Sequence, residues 1–259
     1  MSPAHHSPLT SPTLAWYTPL CGLVRGWRDL RGNPCPGLLH GFLVTGFGAG
    51  LFWWAHDQFW WLAGAFSGFL IVAPVLATGL YEVSRQAGRG EHPQCRGLLK
   101  LWLSGDQRLM GFGVLLGVTG TGWVLTSAGL ITLWAPATIA NPLDFVRHVV
   151  LAPSPGLFEV WLLLGALLAA PMFASSVITL PMLVDTRAPL WVAVGESWRA
   201  VGSFPAVMGF WACLIVLLVG LGLATGMLGL VVVVPVLGHA SWHAYQDIKA
   251  SGAIRVASA

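Results

Sequence analysis

Residues 200–246 read AVGSFPAVMGFWACLIVLLVGLGLATGMLGLVVVVPVLGHASWHAYQ, a stretch without one charged side chain when histidine is counted neutral. A membrane-crossing helix needs about 20 mostly apolar residues. This stretch holds two, with a turn expected near Gly220–Gly226. Working outward, Leu157–Val184 is a third span and Gly111–Trp134, between Arg108 and Arg147, a fourth. Between Arg31 and Arg85 the only charges are Asp57 and Glu82, and two more spans fit, Gly37–Trp54 and Phe59–Leu80. The expected fold is all-α: a polytopic membrane protein with six transmembrane helices, turning first at Ala55-His56-Asp57-Gln58.

Composition agrees. The chain is 56% hydrophobic and 9% charged, with a mean hydropathy of +0.73. A soluble domain carries about 25% charged residues, so this chain cannot cover a water-facing surface. The net charge of +3 is spread over short segments between apolar blocks. It forms no basic stripe for a phosphate backbone, which excludes nucleic acid as a partner and leaves anionic lipid headgroups.

Those cations set the orientation. Of 13 lysines and arginines, all but Arg147 fall on one side if six spans alternate. Arg25, Arg28 and Arg31 precede the first span. Arg85, Arg89, Arg96, Lys100 and Arg108 follow the second, Arg187 and Arg199 the fourth, and Lys249 and Arg255 the last. Cation-rich loops stay inside, which places both termini in the cytoplasm. Trp53, Trp54, Trp60 and Trp61 then mark the outer headgroup level, and Tyr81, Trp102, Trp191, Trp198 and Trp242 the inner one. The longest outer segment, Ala135–Gly156, contains Pro142–Leu151, an amphipathic piece expected to lie in the interface plane with Leu143, Phe145, Val146, Val149 and Val150 on its apolar side.

Residues 1–20, rich in proline, serine and threonine, read as a disordered tail rather than a signal peptide. Residues 21–248 form the transmembrane domain and 249–259 a flexible tail. Cys21, Cys35, Cys95 and Cys213 contain no C-x-x-C pair. They read as reduced, packing cysteines.

The spans repeat. Three descending helices end alike, around Pro74, Pro181 and Pro235. Trp27-Arg28 and Trp198-Arg199 each stand seven residues before a proline, Pro34 and Pro205, with Leu101–Met110 in the equivalent place before the third span. This is the pattern of three antiparallel hairpins of one design. A proline inside a span removes one backbone hydrogen bond and kinks the helix, so Pro74, Pro181 and Pro235 are expected as structural kinks, the alternative being a hinge or a cytoplasmic vestibule. The runs Gly46, Gly48, Gly50 and Gly113, Gly117, Gly120, Gly122 suit close helix contacts.

Chemistry-bearing residues are few. His239 and His243, four apart, share one helix face and form the candidate metal site, with His40 and Glu82 at comparable depth. The other reading of these residues is that His and Tyr decorate the inner interface. No carboxylate stands at mid-membrane, as pumps and proton relays require, and no nucleotide-binding or hydrolase motif is present.

Gly26-Trp27-Arg28-Asp29, Gly79-Leu80-Tyr81-Glu82, Gly229-Leu230 and the run Pro235-Val236-Leu237-Gly238-His239-Ala240 to Trp242-His243-Ala244-Tyr245-Gln246-Asp247 resemble a bacterial family of integral membrane proteins, the domain of unknown function 2189. The resemblance spans about Leu23 to Ile248. It implies no established activity. Some members carry the label putative cytochrome c oxidase, but this chain lacks the mid-membrane histidines of an oxidase core. The expected protein is a multi-pass, non-enzymatic component of a bacterial inner membrane: an accessory, assembly or scaffolding part of a membrane complex, conceivably respiratory. Its partners are the bilayer and other membrane proteins or further copies of itself. The alternatives are a small-solute or lipid channel or transporter, and a metal- or haem-binding protein at His239 and His243.

Overall fold

A computed structural model describes residues 13–55, 57–93, 98, 102, 105–135, 137–152 and 156–255. Most of the expected N-terminal tail, the last four residues of the C-terminal tail, His56, Cys95, Arg96, Lys100 and part of Leu101–Met110 lie outside them.

Among the described residues every element is helical. In chain order they are α1 (Thr18–Gly32), α2 (Pro34–Ala55), α3 (Phe59–Gly88), α4 (Gln107–Trp134), α5 (Pro142–Phe145), which runs on as a π-helical turn over Val146–Val150, α6 (Leu157–Ser176), α7 (Thr179–Asp185), α8 (Leu190–Ser203), α9 (Pro205–Ala224) and α10 (Leu230–Ala250). Four stretches are long and apolar enough to cross a membrane: Pro34–Ala55, Gln107–Trp134, Leu157–Asp185 and Pro205–Ala224. The other two expected spans fall on α3 and α10, of 30 and 21 residues, whose last turns are polar. Outward faces are apolar, with Leu133, Leu163, Val216 and Val118 all exposed.

Local sequence sets the boundaries. Pro34 and Pro205 each open a helix at its first turn, where the missing N–H costs nothing. The residue before each leaves the helix in nearly the same way: Asn33 at φ −133°, ψ 65° and Phe204 at φ −133°, ψ 56°. Asp106 caps α4 by accepting from the Arg108 N–H at 2.9 Å. The α9–α10 turn comes slightly later than expected, over 225–229. It passes through Gly226 at φ +64°, a left-handed conformation that glycine adopts at no steric cost.

The expected single span Leu157–Val184 is broken at Val177 and Ile178, between α6 and α7. The cause is Pro181, whose ring clashes with the carbonyl four residues back, at Val177. The orphaned Ile178 N–H donates to Ser197 Oγ on α8 at 3.1 Å in a buried setting. Pro235 lies inside α10 and Pro74 within α3.

The main core sits at the end of the bundle that carries most cations. Ile178, Met182, Leu183, Ala193, Ala200, Tyr245 and Ile248 meet there. Tyr81 and Trp242 join this core instead of facing lipid headgroups, while Trp27, Trp191 and Trp198 are exposed. Ala253 and Ile254, in the expected C-terminal tail, also pack into it. Cys21, Cys35 and Cys213 are exposed, so they are not packing residues. At the other end a smaller cluster of Ile131, Ile139, Val149 and Leu157 forms. Of the expected amphipathic outer piece, Val149 is buried but Leu143 and Val146 are exposed. Trp161 donates to Ser127 Oγ at 2.7 Å, tying α6 to α4.

Candidate functional site

Glycines decide where the helices meet. Gly22 and Gly26 of α1, four apart, lie on α10; a Cβ at Gly26 would stand 2.7 Å from the Val236 carbonyl oxygen and 2.8 Å from the Ala240 nitrogen. Gly41 of α2 leaves no room for a Cβ against the Val231 carbonyl, and Gly238 of α10 none against Leu80 of α3. Small residues let helix backbones approach this closely. Gly46, Gly50 and Gly122 meet no described atom within 4 Å, so close packing runs through other glycines than the expected ones, although Gly113, Gly117 and Gly120 are buried.

On this seam three of the four stretches that carried the resemblance come together, around 26–29, 79–82 and 235–247. Asp29 of α1 accepts from Ser84 of α3 at 2.6 Å and from His243 Nε2 of α10 at 2.8 Å. Ser84 Oγ lies 2.8 Å from His239 Nδ1. A hydroxyl has one proton, and here the carboxylate takes it, so His239 donates to Ser84 through Nδ1. Burial raises the Asp29 carboxyl, but the hydrogen bonds from His243 and Ser84 outweigh it and hold it below the usual carboxylate value. One turn away, Arg25 makes a bidentate pair with Asp247. Two carboxylates thus fasten α1 to α10.

His239 is fully buried and His40 nearly so, and the Nε2 atom of each has no hydrogen-bond partner. His40 Nδ1 contacts the Pro36 carbonyl at 2.6 Å, and its ring meets Trp102 edge-on at 5.0 Å. Both His40 Nε2 and Trp102 Nε1 lie against Gly79. Glu82, expected beside the histidines, instead accepts from Arg85 at 2.8 Å and Gln86 at 2.7 Å. Among the described residues no group of three or more His, Cys, Asp or Glu stands where it could hold a metal ion. His239 and His243 are brought together, but through Ser84 and Asp29 rather than by converging on one point. Sequence reasoning missed Asp29 and Ser84 as functional residues. The signal for Asp29 was its place in the Gly26-Trp27-Arg28-Asp29 motif; a lone serine in a helix gives none.

Two further ties close the same end. Asp185 Oδ2 accepts from Tyr245 at 2.8 Å and Lys249 at 2.6 Å. Arg108 spans Asp106 and the carbonyls of Thr186 and Ala188, both at 2.9 Å, and of Leu183 at 3.2 Å, satisfying the end of α7. Hydrogen bonding to Arg108 holds Asp106 below the usual carboxylate value. Between α3, α4 and α7 these groups line a cavity of about 340 Å³.

The apolar helices and a polar layer at one end define an integral membrane protein. Residues 62–185, from the first turn of α3 to the end of α7, match a family model described as a predicted integral membrane protein. That family is the domain of unknown function 2189, DUF2189, the one the sequence resembles. Ser84 lies inside the match; Asp29, His239 and His243 lie outside it. No curated protein and no solved structure matches the chain.

Proposed function

We propose that this chain is a six-span, multi-pass protein of a bacterial inner membrane. Both termini are cytoplasmic, and it serves as a non-catalytic accessory, assembly or scaffolding component of a larger membrane complex, a respiratory complex being the first to test. The observation that carries the reading is how the polar groups at the cation-rich end are used. Asp29, Asp247, Asp185 and Arg108 each bond to a different helix or helix end. Their chemistry holds helices together, and the one serine described beside a histidine and a carboxylate, Ser84, is buried between helices.

A threefold hairpin design supports the six-span frame. The breaks before Pro34 and Pro205 share one backbone conformation. Each is preceded by a helix with small residues on its buried face, Gly22 and Gly26 in α1, Ala193 and Ser197 in α8. Each such helix leans on the descending helix of the preceding hairpin, counted cyclically: α1 on α10, α8 beside α7. Trp102, before the second hairpin, stands against Gly79 of α3 in the equivalent place.

Purification in mild detergents followed by mass spectrometry tests the function. Partner membrane proteins at constant stoichiometry are expected; a lone monomer under every such condition contradicts the proposal. The cavity between α3, α4 and α7 favours a second reading, a small-solute or lipid channel or transporter. Solute flux into vesicles containing the purified chain would support that reading over the first.

A further inference from the structure

We infer that the cavity between α3, α4 and α7 is a binding site for a zwitterionic phospholipid headgroup, a phosphodiester joined to a primary ammonium, as in phosphatidylethanolamine. Its charged lining is balanced: Arg85, Arg108 and Arg187 against Glu82, Asp106 and Asp185. A purely anionic ligand would meet three carboxylates, and a purely cationic one three guanidinium groups. A ligand carrying both signs a few ångströms apart meets neither penalty.

The unspent hydrogen-bonding capacity is equally two-signed. Arg108 is saturated by Asp106 and three carbonyls. Arg85 spends Nε and Nη2 on Glu82, leaving Nη1. Arg187 is exposed and bonded to no described residue. Asp185 receives both Tyr245 and Lys249 on Oδ2, which leaves Oδ1 open. A guanidinium fork at Arg187 suits a phosphodiester, and Asp185 Oδ1, two residues away in the chain, suits an ammonium. Leu109 and Val184 give the same cavity an apolar wall. Its volume of about 340 Å³ lies at the small end of ligand sites. The cavity opens at the cation-rich end, the level at which headgroups lie beside the spans in the six-span frame. The site is independent of the accessory role: a scaffold, a transporter or neither could carry it.

The test is native mass spectrometry of the full-length protein in mild detergent, titrated with phosphatidylethanolamine, phosphatidylcholine and phosphatidylglycerol of identical chains. The ethanolamine lipid is expected to bind about tenfold tighter than either of the others, the difference that a single charge-assisted hydrogen bond makes. Asp185→Asn, which removes the charge that meets the ammonium, should abolish that preference. Arg187→Ala, which removes the partner of the phosphodiester common to all three lipids, should weaken all three about tenfold, and Arg187→Lys should restore most of that affinity. Arg31→Ala, an exposed arginine elsewhere, should leave both the preference and the affinities unchanged. Equal affinity for the three lipids overturns the inference, as does an unaltered preference in Asp185→Asn, an unaltered affinity in Arg187→Ala, or an equal loss in Arg31→Ala. Chain-free glycerophosphoethanolamine binding as tightly as the lipid would make the ligand a soluble one, and overturns it too.

Discussion

A single hydrogen atom in place of a methyl group decides how closely α2 and α10 approach. At Gly41 a Cβ would overlap the Val231 backbone, whereas at Gly46, five residues further along the same helix, nothing described stands within 4 Å. Gly41→Ala is therefore expected to lower stability by about 1–3 kcal/mol and Gly46→Ala to change it little. Thermal unfolding of the two variants in one detergent makes the comparison; equal melting temperatures would refute the seam. Asp29 gives a second residue-scale prediction. Its folded carboxyl titrates below the ordinary value of 3.8, so its contribution to stability is complete above that value and lost as pH falls through the folded one. The unfolding midpoint should drop as pH falls below about 4, and Asp29→Asn should shallow that drop. An acid limb identical in both proteins would show that Asp29 does not contribute. The sequence placed His239 and His243 on one face but could not pair them with Asp29, 214 positions from His243. Such a pairing depends on helix register across the bundle, which no local pattern encodes. Glycine number was legible for the same reason that glycine role was not: composition does not say which face meets a neighbour.

At the scale of elements, hydropathy and proline spacing located the long helices well, because both act through local backbone chemistry. The break between α6 and α7 was hidden, since a helix kinked at Pro181 and a helix interrupted before it differ only in whether a neighbour takes up the freed N–H. Ser197 does so here, at 3.1 Å from the Ile178 nitrogen. Ser197→Ala leaves a buried donor unsatisfied and is expected to cost about 1–3 kcal/mol; Ser197→Thr, which keeps the hydroxyl, should be milder. A melting temperature for Ser197→Ala equal to the parent's would mean that water or another group serves Ile178. Arg108 ties α4 to the end of α7 through a planar fork that reaches a carboxylate and three carbonyls together. Lysine cannot reproduce that geometry. Arg108→Lys should accordingly behave nearly as badly as Arg108→Ala in detergent stability, and full rescue by lysine would reduce the interaction to simple charge pairing.

For the whole molecule, the distribution of cations and the placement of polar ties describe the same end of the bundle. Charges excluded from the apolar middle gather where helices enter and leave it, and there they bond across α1, α3, α4, α7 and α10. The accessory reading rests on a frame of six spans with that end in the cytoplasm. Reporter fusions test this frame most directly: alkaline phosphatase, active only outside the cytoplasm, and a fluorescent protein, active only within it. The account predicts phosphatase activity for fusions at Asp57, Asn141 and Gly226, and fluorescence for fusions at Glu91, Arg187 and Arg255. Phosphatase activity at Arg187 or Arg255 would contradict it.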